Sequence, residues 1–241
     1  MSTKVRIRRL LPLLVLLAAC DGSKPLIRHD AEQPGPFPAA DRPVARIVSS
    51  RWSTEEVRDR LNEAGEVMNK AGIAPGMTVA DIGAGEGYYT IRLAQRVGAE
   101  GRVLAEDIQP QFRDALAERV ARERLDNVSV RLGAPVDPKL PPASFDRVLM
   151  VHMYHEIEQP YEFLWRLRPS LKPEGLVVVV DANRPTEAHG TPPALLRCEF
   201  AAVGYRQVAM MEMPSAGGYL AGFRPAGPRP EPATIKACRI D

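Results

Sequence analysis

The sequence predicts an α/β fold: a doubly wound, mostly parallel sheet of seven strands that ends in an antiparallel hairpin. Three observations carry this. Strand-like and helix-like segments alternate through the middle of the chain, the pattern of a parallel sheet covered by helices on both faces. Leu176 to Val180 is an uninterrupted apolar run, as expected of a strand buried on both sides. Two short strand patterns, Arg206 to Met213 and Gly218 to Phe223, lie close together across a Pro/Gly turn, which reads as a hairpin.

Ser53 and Glu56 form a capping-box pattern, and Val57, Leu61, Ala64 and Met68 follow at helical spacing. Gly72 and the Ala74-Pro75-Gly76 turn end that helix. Met77 to Ile82 is the first strand, and it runs into a glycine cluster. Tyr88 to Val97 reads as a helix, Arg102 to Ile108 as the second strand, and Gln109 to Leu125 as the next helix. Val128 to Leu132 and Asp146 to Val151 are the third and fourth strands. A helix from about Gln159 to Leu171 leads to the fifth strand at Leu176, and Pro192 to Val203 is the last helix.

The chain has 241 residues, of which 45% are hydrophobic and 26% charged, the balance of an ordinary globular protein. That length suits one domain, two at most. The formal net charge is +2, yet Lys4, Arg6, Arg8 and Arg9 all lie in the first nine residues. Without them 28 basic residues face 30 acidic ones, so overall charge makes no case for nucleic-acid binding. Leu10 to Ala19 is a short apolar run broken by Pro12. As a helix it would span roughly 15 Å, about half a hydrocarbon core, so residues 1–19 read as an export signal. The run ends in Leu17-Ala18-Ala19-Cys20, which resembles the lipobox of bacterial lipoproteins. That resemblance implies acylation at Cys20, a lipid anchor in the membrane, and a place in the bacterial cell envelope facing the periplasm. The alternative is an ordinary cleaved signal followed by a chance cysteine. Residues 20–50, with Pro25, Pro34, Pro36, Pro38 and Pro43, read as a stiff linker. The folded domain is expected over 51–224 and a Pro-rich tail over 225–241.

Ligands of open α/β sheets sit beyond the carboxyl ends of the strands. There the chain has Gly83-Ala84-Gly85-Glu86-Gly87, whose glycines allow a sharp turn and close ligand approach. A dinucleotide fingerprint would need its third glycine at residue 88, which is Tyr88. The segment Val79-Ala80-Asp81-Ile82-Gly83-Ala84-Gly85-Glu86-Gly87-Tyr88 instead resembles motif I of the class I S-adenosylmethionine (SAM)-dependent methyltransferases, whose fold is Rossmann-like. The resemblance implies SAM as cofactor, with Asp81, Gly83, Gly85, Gly87 and Tyr88 around it and Asp81 near the methionine ammonium. Asp107, 26 residues after Asp81, matches the family position that accepts the ribose hydroxyls, with Glu106 an out-of-register neighbour. Ser144 to Leu149 and Leu171-Lys172-Pro173-Glu174-Gly175 are similar to later signatures of the family. Where the family often has Gly-Asp to hold adenine, this chain has Gly133-Ala134. Backbone groups there, Leu132 with its apolar neighbours, or Asp137 must then do that work.

Methyl transfer is an in-line displacement, and a base is needed only if the nucleophile must lose a proton. The candidates follow the fourth and fifth strands. His155 is the first choice for a base or orienting group, with Tyr154 and His152 behind it; Asp181, Arg184 and His189 lie beyond strand five. His155-Glu156-Ile157-Glu158-Gln159 is not HExxH, so no metal is expected. An Asn/Asp-Pro-Pro-Tyr/Phe motif is absent from the sequence, which leaves no case for DNA amino-methylation. Cys198 sits in a helical apolar pattern and Cys238 in the tail; they read as two thiols, which export would permit to pair. The expected activity is methyl transfer to a small-molecule or lipid-like acceptor. The alternative is a non-catalytic envelope protein that binds SAM or S-adenosylhomocysteine, because SAM is made in the cytoplasm and the leader points out of it.

Overall fold

The structure, a computed structural model, describes residues 35–47 and 54–239. The expected leader at 1–19 and Cys20 lie outside the described residues. Among the described residues seven strands form one sheet in the order β3-β2-β1-β4-β5-β7-β6. They are β1 (Thr78–Ile82), β2 (Arg102–Asp107), β3 (Val128–Leu132), β4 (Phe145–Val151), β5 (Leu171–Asp181), β6 (Tyr205–Met213) and β7 (Gly218–Pro225). The first five pair in parallel. β7 lies antiparallel between β5 and β6, so the hairpin folds back into the sheet and β6 becomes the edge. Strand order reverses between β1 and β4, which opens a crevice at their carboxyl ends.

Side-chain alternation along the strands divides the interior into two cores. Val177 and Val179 of β5 join a cluster with α5 (Pro160–Leu167) and α6 (Pro193–Ala202). Val178 and Val180 join the opposite cluster with α2 (Glu63–Lys70) and α3 (Tyr88–Val97). The continuous apolar run of β5 thus serves both faces. β5 also starts earlier than the apolar run suggests. Phe145 pairs with Leu171 but Arg147 with Leu176, so the Lys172-Pro173-Glu174 stretch is a wide bulge in the strand. A Cβ on Gly175 would stand 2.7 Å from the Phe145 carbonyl oxygen, which explains the glycine that closes it.

The single helix expected after Ser53 is two: α1 (Glu55–Arg60) and α2, with Asn62 between them in the left-handed region at φ 52°. Asn adopts that conformation more readily than other non-glycine residues. A Cβ on Gly65 would lie 2.2 Å from the Asn62 side-chain oxygen, so the glycine leaves room for that side chain where it stands. α4 (Pro110–Arg122) covers β2 and β3.

The folded unit extends past the boundaries expected at 51 and 224. Upstream, Arg42 buries its guanidinium against Glu199 of α6 at 2.8 Å and donates to the Ile157 carbonyl. The Ala45 N–H donates to the His155 carbonyl, and the Thr186 hydroxyl donates to the Pro43 carbonyl at 2.6 Å. Residues 35–47 are therefore a strap over the domain, not part of a free linker. Downstream, the Trp165 indole donates to the Pro230 carbonyl, and the Tyr161 hydroxyl accepts the Cys238 N–H. Cys198 and Cys238 form a disulfide across 40 residues, so the two thiols are paired.

A loop of that length gives a disulfide a stabilisation of about 4 kcal/mol in the chain-entropy account. Reduction, or Cys198→Ser with Cys238→Ser, is expected to cost about 2–4 kcal/mol and lower Tm by roughly 5–12 °C. Thermal melts with and without reductant check this; coincident melts would show that the bond does not form.

Candidate functional site

β1 delivers Asp81 and the glycine turn to the carboxyl edge of the sheet. Gly83, Gly85 and Gly87 all have positive φ, at 68°, 54° and 90°. Two of them are also required by close approach. A Cβ on Gly83 would meet Met153 at 3.0 Å, and one on Gly87 would meet Leu116 of α4 at 2.4 Å. A Cβ on Gly85 would meet nothing within 4 Å. The turn is thus packed against α4 at Gly87, exposed at Gly83 and roomy beside Gly85.

Three buried carboxyls converge beneath this turn. Asp81 accepts the Thr90 hydroxyl at 2.6 Å. Burial pushes it up to about 6 against the pull of that hydrogen bond. Asp107 accepts backbone N–H groups from Gly85 at 2.9 Å and Gln109 at 2.8 Å. It therefore clamps the glycine turn, and burial raises it despite these donors. Glu106 is 1% exposed. Burial, reinforced by the Asp107 charge, pushes it up to about 8. Its Oε1 has no hydrogen-bond partner and stands 1.4 Å from where a Cβ on Gly133 would be. Gly133 is therefore the residue that makes room for Glu106. Ala134 closes a two-residue bridge with Asp137, whose carboxylate accepts the Lys139 N–H at 2.7 Å.

Tyr88 turns away from the crevice. Its buried ring lies between the guanidiniums of Arg58 and Arg92, at 3.7 and 3.9 Å, and its hydroxyl donates to Asp59 at 3.1 Å. The ring locks α1 onto α3. A second hub sits above it. Glu63 accepts from Arg58 and from the Tyr89 hydroxyl, and lies 3.5 Å from His152 Nε2. Burial works to raise Glu63, but His152 and Arg58 outweigh it and hold it at about 2. His152, with positive φ and its side chain about one-third exposed, thus faces the α2 side of the crevice.

The three residues expected to serve catalysis part company. Tyr154 is fully buried, and its hydroxyl donates to Glu199 at 2.8 Å, beside Arg42. It belongs to the strap's anchor, which corrects its expected catalytic place. His155 points the other way. Its Nδ1 lies 3.0 and 3.1 Å from the two oxygens of Asp181 at the end of β5. Asp181 is wholly buried and also accepts the Thr191 hydroxyl at 2.7 Å and the Ala182 N–H at 2.9 Å. A carboxylate there accepts from an Nδ1–H, which in the neutral ring puts the lone pair on Nε2. The His189 ring stands edge-on to His155, centroids 5.5 Å apart.

Sequence reasoning passed over Glu63 and Arg42, and set Glu106 aside as an out-of-register neighbour of Asp107. The Asn62-x-x-Gly65 spacing signals the helix break that turns Glu63 inward, and Gly133 signals the space that Glu106 fills. Arg42 left no local signal, because its partner lies 157 residues away.

Residues 79–175 match a family described as a methyltransferase domain. The arsenite methyltransferase of Halobacterium salinarum is 30% identical over 135 residues, covering 53% of this chain and 34% of that protein. The tRNA (adenine(58)-N(1))-methyltransferase of Thermus thermophilus is 30% identical over 53% of this chain and 51% of its own. The demethylmenaquinone methyltransferase of Geobacillus stearothermophilus is 26% identical over 54% of this chain and 55% of its own. The chain thus spans from a third to just over half the length of these relatives. A SAM-dependent methyltransferase structure from Aquifex aeolicus has the same fold, with a TM-score of 0.60, 24% identity, and coverage of 71% of this chain and 97% of that one. These matches show that residues 79–175 resemble a methyltransferase domain and that the chain shares the Rossmann-like fold of the Aquifex aeolicus structure.

Glu106 has a pH signature. Its carboxyl is protonated in the fold up to about pH 8 but ionises near 4.5 in the unfolded chain. The unfolded state therefore releases the proton first, and stability drains away as pH rises between those values. Glu106→Gln removes that loss, so its stability relative to the parent is expected to improve by roughly 3–6 kcal/mol from pH 4.5 to 8. Urea unfolding across this range decides it; parallel curves for the two proteins would mean that Glu106 does not titrate this way.

Proposed function

We propose that this chain is a SAM-dependent methyltransferase that acts on a small-molecule or lipid-like acceptor. One observation carries the reading. The glycine turn is exposed at Gly83 and leaves space beside Gly85, and three buried carboxyls held above their ordinary pKa values lie beneath it. Buried carboxyls of raised pKa suit a ligand that brings positive charge and hydrogen-bond donors to them. SAM brings a sulfonium, an ammonium and two ribose hydroxyls.

The residues fit that group. Asp81 would take the ammonium end. Asp107 has lone pairs left on both oxygens after accepting Gly85 and Gln109, and these would receive the ribose hydroxyls. Glu106, with Oε1 unpartnered beside Gly133, replaces the missing Asp at 134 as a carboxyl near the expected adenine end. When bound, SAM supplies an electrophilic methyl group. The chain supplies alignment, its main contribution to an in-line displacement. His155, with its proton fixed on Nδ1 by Asp181, offers Nε2 to orient the acceptor or take its proton. His152, on the α2 side and paired with Glu63, lines the approach.

A small or lipid-like acceptor is supported by relatives named for arsenite and demethylmenaquinone, although a third is named for a tRNA. No comparison supports the non-catalytic alternative. Export and a lipid anchor at Cys20 remain part of the proposal, supported by the basic leader and lipobox-like run and by a disulfide, which persists in oxidising compartments.

Calorimetric titration of the full chain with SAM tests the cofactor, and transfer of labelled methyl groups to envelope extracts tests turnover. Asp107→Ala removes the carboxylate that clamps Gly85 and is expected to weaken SAM binding about ten- to a hundredfold; unchanged affinity would exclude Asp107 from the cofactor site. Cys20→Ser is expected to abolish incorporation of labelled fatty acid, and persistent labelling would exclude acylation at Cys20.

A further inference from the structure

We propose that His155, Glu156 and His189 form a site for one divalent transition-metal ion with zinc-like preferences. Each offers one ligand atom, and the three atoms all lie within 4.8 Å of one another. A four-coordinate ion at ordinary bond lengths sets its ligand atoms about 3.4 Å apart, so small side-chain rotations close the site. Two imidazoles and one carboxylate suit zinc or a neighbouring first-row ion better than calcium or magnesium, which prefer oxygen alone. Three protein ligands leave a fourth position open for water or an acceptor atom.

The surroundings are those of a built site. Ligating histidines commonly hold their second ring nitrogen against a carboxylate, and Asp181 does this for His155, with both oxygens within 3.1 Å of Nδ1. Asp181 also accepts the Thr191 hydroxyl, two residues beyond His189. One buried carboxylate therefore ties together the two segments that carry the imidazoles. Tyr219 of β7 donates to the Thr191 carbonyl at 2.7 Å and holds that segment from behind. His189 itself has left-handed backbone, φ 58° and ψ 59°. The next residue must be glycine, because a Cβ on Gly190 would stand 2.5 Å from the Ala182 carbonyl oxygen. The strap secures both segments through Ala45 to the His155 carbonyl and Thr186 to the Pro43 carbonyl.

The sequence pattern pointed away from a metal because Gln159 stands where HExxH needs its second histidine. The fold brings the second imidazole from the loop after β5 instead. This inference does not depend on the SAM reading. It gives His155 Nε2 an ion as partner in place of the orienting or proton-accepting role proposed above, and it can hold or fail whether or not SAM binds.

The test uses the full chain carrying Cys20→Ser and stripped with a chelator, so that no free thiol competes. Cobalt(II) is titrated without SAM, followed by visible d–d absorption, and then displaced with zinc. The expected result is one cobalt per chain with four-coordinate bands, displaced one for one. His189→Ala and Glu156→Gln are expected to weaken binding at least tenfold, and Asp181→Asn about ten- to a hundredfold. His189→Ala lies in a surface loop, and its folding is verified by circular dichroism. A parent that takes up no stoichiometric cobalt overturns the proposal, as does a folded His189→Ala that binds as tightly as the parent. Calorimetry with SAM on the same sample reports the methyltransferase reading separately.

Discussion

The arrangement of the loops after β4 and β5 rests on one wholly buried carboxylate, Asp181. A charge at the end of an apolar strand is costly unless its oxygens are occupied. Here they receive an imidazole, a threonine hydroxyl and a backbone N–H. Satisfying that charge draws the turn after β4 and the loop after β5 to the same point. Sequence neighbours of these partners then face one another: Glu156 beside His155, and His189 two residues before Thr191. The parallel sheet brings strand ends to one edge, but this carboxylate decides which loops converge there.

The neighbouring half of the crevice follows a different electrostatic logic. Glu63 is held ionised by cationic partners, while Asp81, Glu106 and Asp107 are biased toward their protons by burial. Arg58 bonds Glu63 and also pulls on Asp81 from across the turn. α1 and α2 thus carry a self-neutralised polar lid, and β1 and β2 carry acids whose charge is only partly answered within the chain. The glycine turn is held at Gly87 by packing against Leu116 and at Gly85 by the hydrogen bond its N–H donates to Asp107.

Much of this was legible in the sequence. α3 and β3 have the bounds their periodicity predicts, and other strands and helices begin within a few residues of expectation, because alternation and glycine turns are local signals. The antiparallel hairpin was legible too, though not its insertion of β7 beside β5, which depends on a crossover that no local pattern encodes. The break at Asn62 was hidden because the apolar spacing continues through it. Residues 35–47 look like a linker by composition; their anchoring depends on Arg42 meeting Glu199 across the chain. Tyr154 and His155, adjacent and equally plausible as catalytic groups, point in opposite directions, and only the fold distinguishes them. His189 carried no spacing signal because its partners come from β4 and β5.

The strap's anchor affects how the domain can be excised. Arg42 is the counter-ion of Glu199, a carboxylate with no solvent exposure. A fragment trimmed at residue 51, where composition places the start of the fold, would discard that cation and strand the acid inside α6. Losing one partner of a buried pair typically costs about 3–5 kcal/mol, a large fraction of a domain's margin. The same cut would free the segment behind His155 and Thr186, so even a fragment that survived would hold the loops after β4 and β5 less firmly. The smallest autonomous piece of this protein therefore begins before Arg42, in a stretch whose prolines disguise it as a spacer.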